Sequence, residues 1–200
     1  MADATIREHP LGLTWTIDEP MRRSSHALAD SGRVWLIDPV DDPEAIERAA
    51  ALGEIAGVVQ LLDRHTRDCK SLATRFGVPH EQPGSGIRLE HSPLRPFSVV
   101  SVPIWREWAL WWARHRALIV SEAIGTAPYY TAGRSAAGVH LFLRLKPPRV
   151  LRDYQPEHLL VGHGPPLHGP GTAAALSEAL GRSRRDLPRV LRALPKAGKS

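Results

Sequence analysis

Residues 58–69 read Val-Val-Gln-Leu-Leu-Asp-Arg-His-Thr-Arg-Asp-Cys, and the chemistry open to this chain is concentrated at the end of that run. Arg64, His65, Thr66, Arg67, Asp68 and Cys69 bring guanidinium, imidazole, hydroxyl, carboxylate and thiol groups into six positions. Imidazole, carboxylate and thiolate are the donors zinc accepts. Cys69 is also a candidate nucleophile, but no His–Cys pair is fixed by the sequence, and a buried inert thiol is the simpler reading. Before the polar run, Val58, Val59, Leu61 and Leu62 form a short apolar stretch that suits a buried strand. After it, Leu72, Ala73 and Phe76 recur at helical spacing until Gly77 stops the pattern. The reactive side chains therefore sit on a loop between a strand and a helix. In layered α/β proteins such loops border the ligand crevice.

This stretch resembles the metallo-β-lactamase fold superfamily, whose members carry His-x-His-x-Asp-His between a buried strand and a helix. Here the six positions read Arg64-His65-Thr66-Arg67-Asp68-Cys69, and Asp68 matches. Two further stretches match in order and spacing. Leu36-Ile37-Asp38-Pro39 is similar to the family's early strand ending in an aspartate, a residue that supports the site's ligands from behind, or has a structural or capping role. Leu160-Val161-Gly162-His163-Gly164-Pro165-Pro166 is similar to its late Gly-His-Gly loop. The resemblance covers residues 11–190 and implies an α/β (α+β) architecture, a four-layer αββα sandwich in a single domain.

Carried over position by position, the resemblance implies a site of Arg64, Thr66, Asp68, Cys69, Trp105, Glu122 and His163. Trp105 replaces a histidine and Glu122 replaces the bridging aspartate. Asp68, Cys69, Glu122 and His163 can hold a metal; Trp105 cannot. Arg64 keeps its positive charge at any working pH and repels a dication. It is expected to take an ion's place and neutralise Asp68 and Glu122 through charge-assisted hydrogen bonds. His65 stands beside the motif and reaches inward only if the loop register shifts. His168 follows His163 in a Gly/Pro-rich loop. A single Zn²⁺ on Asp68, Cys69 and His163 is the metal-bearing alternative.

The rest of the chain must position these groups. Its 200 residues, 42% hydrophobic and 24% charged, suit one soluble domain with a sizeable core. Residues 1–10 read as an N-terminal extension, 11–190 as the domain and 191–200 as a basic tail. The extension contains Asp3 and Glu8 and no apolar run, so it is not a signal peptide. With one cysteine and no membrane-length apolar stretch, a cytoplasmic protein without membrane association is expected. The net charge of +5 is uneven, because residues 181–200 carry seven basic side chains against Asp186 alone. A solvated helix face explains this; no aromatic residues interleave to stack on bases, which argues against nucleic acid.

Strands are expected at 13–17, 25–29 and 34–37, the last two joined by a turn at Asp30-Ser31-Gly32. Asp41 or Asp42 caps a helix with Pro43 at its first position and Gly53 at its end. Residues 99–102, 108–112 and 117–120 read as strands. Trp108 and Trp112 lie on one face and Trp111 on the other. Residues 125–138, with Tyr129 and Tyr130, read as a mobile loop on the site side, 149–154 as a short helix, 158–161 as a strand and 172–187 as a helix that Pro188 kinks or ends, with 190–194 adding a last turn.

The readings for function are ordered. The first is a pseudoenzyme with a degenerate metal site and no cofactor, binding a small molecule or protein partner in the former active-site crevice. The second is a mononuclear metal-dependent hydrolase of an ester, thioester or phosphoester, with Asp68 orienting or activating water. A nucleic-acid-related function comes last, resting on the basic tail alone. Fold does not choose among them.

Overall fold

A computed structural model of the protein describes residues 3–65, 67–84, 86–89 and 91–193; Thr66 and the last part of the basic tail lie outside it. The strands β1 (Ala4–His9), β2 (Gly12–Ile17), β3 (Ser24–Asp30) and β4 (Arg33–Ile37) form an antiparallel meander. The helix α1 (Pro43–Ala51) returns the chain to β5 (Glu54–Val59), parallel to β4. The helix α2 (Cys69–Phe76) then leads to β6 (His80–Glu81), parallel to β5. These six strands make the first sheet in sequence order.

The second sheet begins with β7 (Arg95–Val102), β8 (Trp105–Trp112) and β9 (Ala117–Val120), all antiparallel. A ribbon of β10 (Ile124–Gly125) and β11 (Gly138–Val139) follows, enclosing α3 (Pro128–Thr131). A 3-10 turn, Arg149–Asp153, leads to β12 (His158–Val161), which joins the second sheet parallel to β9, and β13 (Leu167–His168) pairs on its far side. The helices α4 (Thr172–Arg182) and α5 (Leu187–Ala193) end the described chain. None of the described helices is long and apolar enough to cross a membrane.

Four layers have three interfaces, and the three large apolar clusters follow them, with a small fourth of Ala127, Tyr129 and Tyr130 beside α3. Val34, Leu36 and Val58 face the helix side of the first sheet with Ile46 and Leu72. Trp35, Ile37 and Val59 face inward and meet Leu110, Trp112, Ile119 and Leu160 of the second sheet. Leu118, Val120, Leu159 and Val161 face outward to Leu176 and Leu180 of α4. This alternation is the period of two that strands impose. The tryptophans obey it: Trp108 and Trp112 pack between the sheets and Trp111 on the outer face.

Local signals explain the element ends. The Asp42 carboxylate accepts from Ala45 N at 2.9 Å and caps α1. Gly77 ends α2 with φ 65°, the left-handed conformation in which glycine carries no Cβ penalty. Three expectations are corrected. The N-terminal extension contributes β1, the outer strand of the first sheet, because residues 4–9 find paired backbone partners along β2. The loop 125–138 carries the helical turn α3 in its middle and strand residues at both ends, with Tyr129 and Tyr130 buried. The last long helix breaks at residues 183–186, ahead of Pro188, which sits in the first turn of α5 where a proline is tolerated.

Candidate metal centre

The two parallel strand pairs set the site. β4 and β5 run the same way, as do β9 and β12, so the carboxyl ends of each pair lie together. Asp38, Glu122 and His163 lie just past the ends of β4, β9 and β12, and His65 lies further along the loop that follows β5. The loop carrying His65 is shaped from both sheets. Gln60 Nε2 donates to Leu62 O at 2.8 Å, Trp108 N donates to Leu61 O, and Asp63 accepts from Arg106 N. Glycine lets the other two strand ends meet. A Cβ on Gly162 would lie 2.5 Å from the Ser121 carbonyl oxygen, so the residues before Glu122 and His163 touch only because that side chain is missing.

His65, Glu122 and His163 form one cluster, with a potential ligand atom from each lying within 4.8 Å of the others. Glu122 Oε1 is 2.8 Å from His65 Nε2 and 3.7 Å from His163 Nε2. The hydrogen-bond network fixes where the protons sit. Ser121 Oγ lies 2.7 Å from Asp38 Oδ2 and 2.8 Å from His65 Nδ1. The carboxylate can only accept, so the hydroxyl donates to it and His65 Nδ1–H donates to the hydroxyl. His163 Nδ1–H donates to the Met21 carbonyl at 2.8 Å. Both Nε2 atoms are thereby turned toward one carboxylate. His163 Nε2 is buried and has no hydrogen-bond partner among the described residues.

Electrostatics agree with this geometry. Burial opposes ionisation of Glu122, but the imidazoles of His163 and His65 outweigh it and hold the carboxyl far below its ordinary range. Burial and the Arg67 guanidinium push His65 down; the Asp38 and Glu122 carboxylates prevail and its basicity is raised. The cluster thus favours a proton on His65 beside an ionised Glu122.

The walls are aromatic. Tyr130 OH donates to Glu122 O at 3.0 Å, and Tyr129 OH donates to the Met21 carbonyl that also holds His163. Trp105 Nε1 donates to the buried Glu107, whose other oxygen accepts the backbone N–H groups of Glu122 and Ala123. The Trp105 ring carries the Arg64 guanidinium 4.3 Å above its centroid, and Arg64 Nη2 reaches Glu122 Oε2 at 3.1 Å.

The expected site residues are therefore divided. Arg64, His65, Trp105, Glu122 and His163 come together, and the Arg64 ion pair forms with Glu122 alone. Asp68 does not join them: its Oδ2 accepts from Asp41 N at 2.8 Å at the start of α2. Cys69 packs in the apolar cluster under α2, where burial pushes its thiol far up, and it is not part of the His65, Glu122 and His163 cluster. Thr66 falls outside the described residues. His168 pairs with His158, Nδ1 to Nδ1 at 2.8 Å, away from the cluster.

Arg67, Asp38, Ser121, Glu107, Tyr129 and Tyr130 complete the site; Asp38, the polar run holding Arg67 and the site-side loop holding the two tyrosines carried sequence signals, Ser121 and Glu107 none. Arg67 is the largest surprise. Its Nη1 donates to the carbonyls of Ser24 and Asp38 at 2.6 and 2.7 Å, and its Nη2 donates to Gly162 at 3.0 Å. It adopts φ 33°, so a strained backbone ties three strand ends under the cluster. Sliding the family motif back by one position places Asp63, His65 and Arg67 on its first three residues. Of these, His65 reaches Glu122 and Arg67 ties the strand ends, whereas Asp63 binds Arg106 N outside the cluster.

No family model and no curated protein matches this chain. Solved structures do. The metallo-β-lactamase DIM-1, exposed to ceftazidime, superposes with a TM-score of 0.69 at 12% identity, covering 92% of this chain and 99% of that one. The metallo-β-lactamase FIM-1 from Pseudomonas aeruginosa, in its mono-zinc form, gives 0.61 at 11% identity over 90% and 96%. A metallo-β-lactamase from Erythrobacter litoralis gives 0.57 at 10% identity over 92% and 96%. The chain has the metallo-β-lactamase fold.

Proposed function

We propose that His65, Glu122 and His163 hold one divalent ion, with zinc the best match to two imidazoles and a carboxylate, and that the protein hydrolyses an ester, thioester or phosphoester. The carrying observation is the proton arrangement. Histidines that bind metals commonly donate their other ring N–H to a carboxylate, carbonyl or hydrogen-bonded relay, as both histidines do here. The unpartnered His163 Nε2, facing a carboxylate oxygen, is the lone pair such an ion would use.

Three protein ligands leave a position open, which is the catalytic pattern. A bound ion would supply Lewis acidity, polarising a carbonyl or phosphoryl oxygen and easing the ionisation of water. This chain's own residues do the positioning. Asp38 and Ser121 hold the His65 ring, the Met21 carbonyl holds His163, and Glu107 holds the turn that carries Glu122. Arg64, 44% exposed at the mouth, can donate to an anionic oxygen of the substrate. The mono-zinc form of FIM-1 supports a one-ion reading within this fold.

The ion pair between Arg64 and Glu122 favours a second reading. With Arg64 and a protonated His65 on its two oxygens, Glu122 is neutralised without an ion, and the crevice then binds a small molecule or protein partner. A hydrolysis screen separates the two. p-Nitrophenyl acetate, a thioester and bis(p-nitrophenyl) phosphate would be assayed with added zinc, for the wild type and Glu122→Gln. Zinc-dependent turnover that drops to background in the variant supports the hydrolase. No turnover above the variant on any substrate leaves the binding reading.

A further inference from the structure

The basic surplus at the C-terminal end does not stay in a tail. Arg184 turns onto a groove of about 410 Å³ that Lys146, Arg149 and Arg152 also line, and no aspartate or glutamate shares that lining. Among the described residues none of these four cations forms an ion pair, whereas Arg23, Arg48, Arg75, Arg116 and Arg182 each have a carboxylate partner. Arg184 Nε donates to Leu145 O at 2.8 Å, which fixes the base of its guanidinium fork beside the groove. Four unpaired like charges around one concavity repel each other and focus a positive potential that a polyanion relieves. The arginine fork matches phosphate oxygens in pairs.

A second cavity, of about 280 Å³, adjoins the first and shares Arg152, Leu180 and Gly181 with it. Its walls are Leu151, Tyr154 and Leu176, with Gln155 and Ser177 as hydrogen-bonding groups. The Tyr154 ring is held rigid, 4.5 Å from Phe97 and 5.1 Å from Trp111 between centroids. One half suits phosphates and the other a flat body with polar edges, and their size falls in the range of small-molecule sites. We infer that this bipartite groove, separate from the metal cluster, binds a nucleoside di- or triphosphate.

The experiment is calorimetric titration of ATP, pyrophosphate and adenosine into the full chain in the presence of EDTA, so that no metal at the cluster recruits phosphate. The expected result is saturable one-site binding of ATP, with pyrophosphate weaker and adenosine weaker still. Arg149→Glu with Arg152→Glu should weaken ATP by at least ~10-fold. Ala173→Trp, in the wall of the apolar half, should weaken ATP but not pyrophosphate. Glu122→Gln should leave all three unchanged. Each variant is checked for the wild-type unfolding midpoint, and exposed Lys146→Glu replaces any that fails. The inference is overturned if ATP does not saturate, or if charge reversal in a folded variant leaves its affinity intact. It is also overturned if a single-stranded oligonucleotide binds more tightly with a steeper salt dependence, which would assign the patch to a nucleic-acid backbone.

Discussion

His26 and His163 are both buried at the end of β12, at 2% and 3% exposure, and they do opposite things. His26 Nε2–H donates to the Val161 carbonyl at 3.1 Å, so its Nδ1 accepts from the Thr14 hydroxyl at 2.8 Å. Thr14 in turn accepts from His9 Nε2 at 3.0 Å. Both ring nitrogens of His26 are used up by the protein, across the interface between the sheets. His163 fixes one nitrogen on Met21 and leaves the other facing Glu122. Burial alone does not separate a structural histidine from a ligand. What separates this pair is the partner set: His26 spends both nitrogens on a hydroxyl and a carbonyl, whereas His163 keeps one nitrogen unbonded beside a carboxylate.

The largest expected effects come from removing each ring. His163→Ala should abolish zinc binding, while His26→Ala should keep zinc affinity within about tenfold and lose about 3 kcal/mol of stability, because Val161 and Thr14 lose their partner in the core. Zinc titration and urea unfolding of both variants check this, and a zinc loss in His26→Ala equal to that in His163→Ala would break the contrast.

Arg67→Met should cost a similar amount, roughly 2–4 kcal/mol, by leaving the carbonyls of Ser24, Asp38 and Gly162 without their donor. Denaturant midpoints measure it. A loss below about 1 kcal/mol would mean water replaces the guanidinium without penalty.

Acid sharpens the comparison from the structural side. Burial pushes His26 down to about 3, and burial together with His168 and His158 pushes His9 down to about 4. A folded-state pKa below the unfolded 6.5 means that the unfolded chain takes up the proton first as pH falls. This contribution to stability is therefore whole above about pH 6.5 and lost as pH drops toward 3. Its slope for His26 is about 1.4 kcal/mol per pH unit. Unfolding midpoints from pH 7 to 4 should fall in the wild type, and more shallowly in His26→Gln.

The smallest effect is expected at the residue the family motif marks most clearly. Asp68→Asn should change stability by no more than about 1 kcal/mol, through its bond to Asp41 N, and leave zinc affinity unaltered.

Much of the scaffold was legible because periodicity and turn chemistry are local. Asp42-Pro43, Gly77 and Asp30-Ser31-Gly32 mark their boundaries within a few residues, and the tryptophans of β8 follow strand parity. Glu122 and His163 were legible through the family's spacing. The direction of the side chains in the loop after β5 was not. Which residues turn inward there is set by Arg106 on β8 and by carbonyls of Ser24 and Gly162, all distant in sequence. A motif aligned on Asp68 therefore points to Cys69 and passes over His65. The loop of Tyr129 and Tyr130 was legible as facing the site, but their burial was not, because small residues around them suggest a loose loop, whereas tertiary packing against His163 and Glu122 holds them.

The most direct measurement is zinc per chain by elemental mass spectrometry, on protein purified without a tag or chelator and dialysed against zinc. Three proteins are compared: the wild type, His65→Ala with His163→Ala, and Asp68→Ala with Cys69→Ala. The account predicts about one zinc per chain in the first and third and none in the second. Zinc lost with Asp68 and Cys69, retained without the two histidines, or absent from the wild type would contradict it.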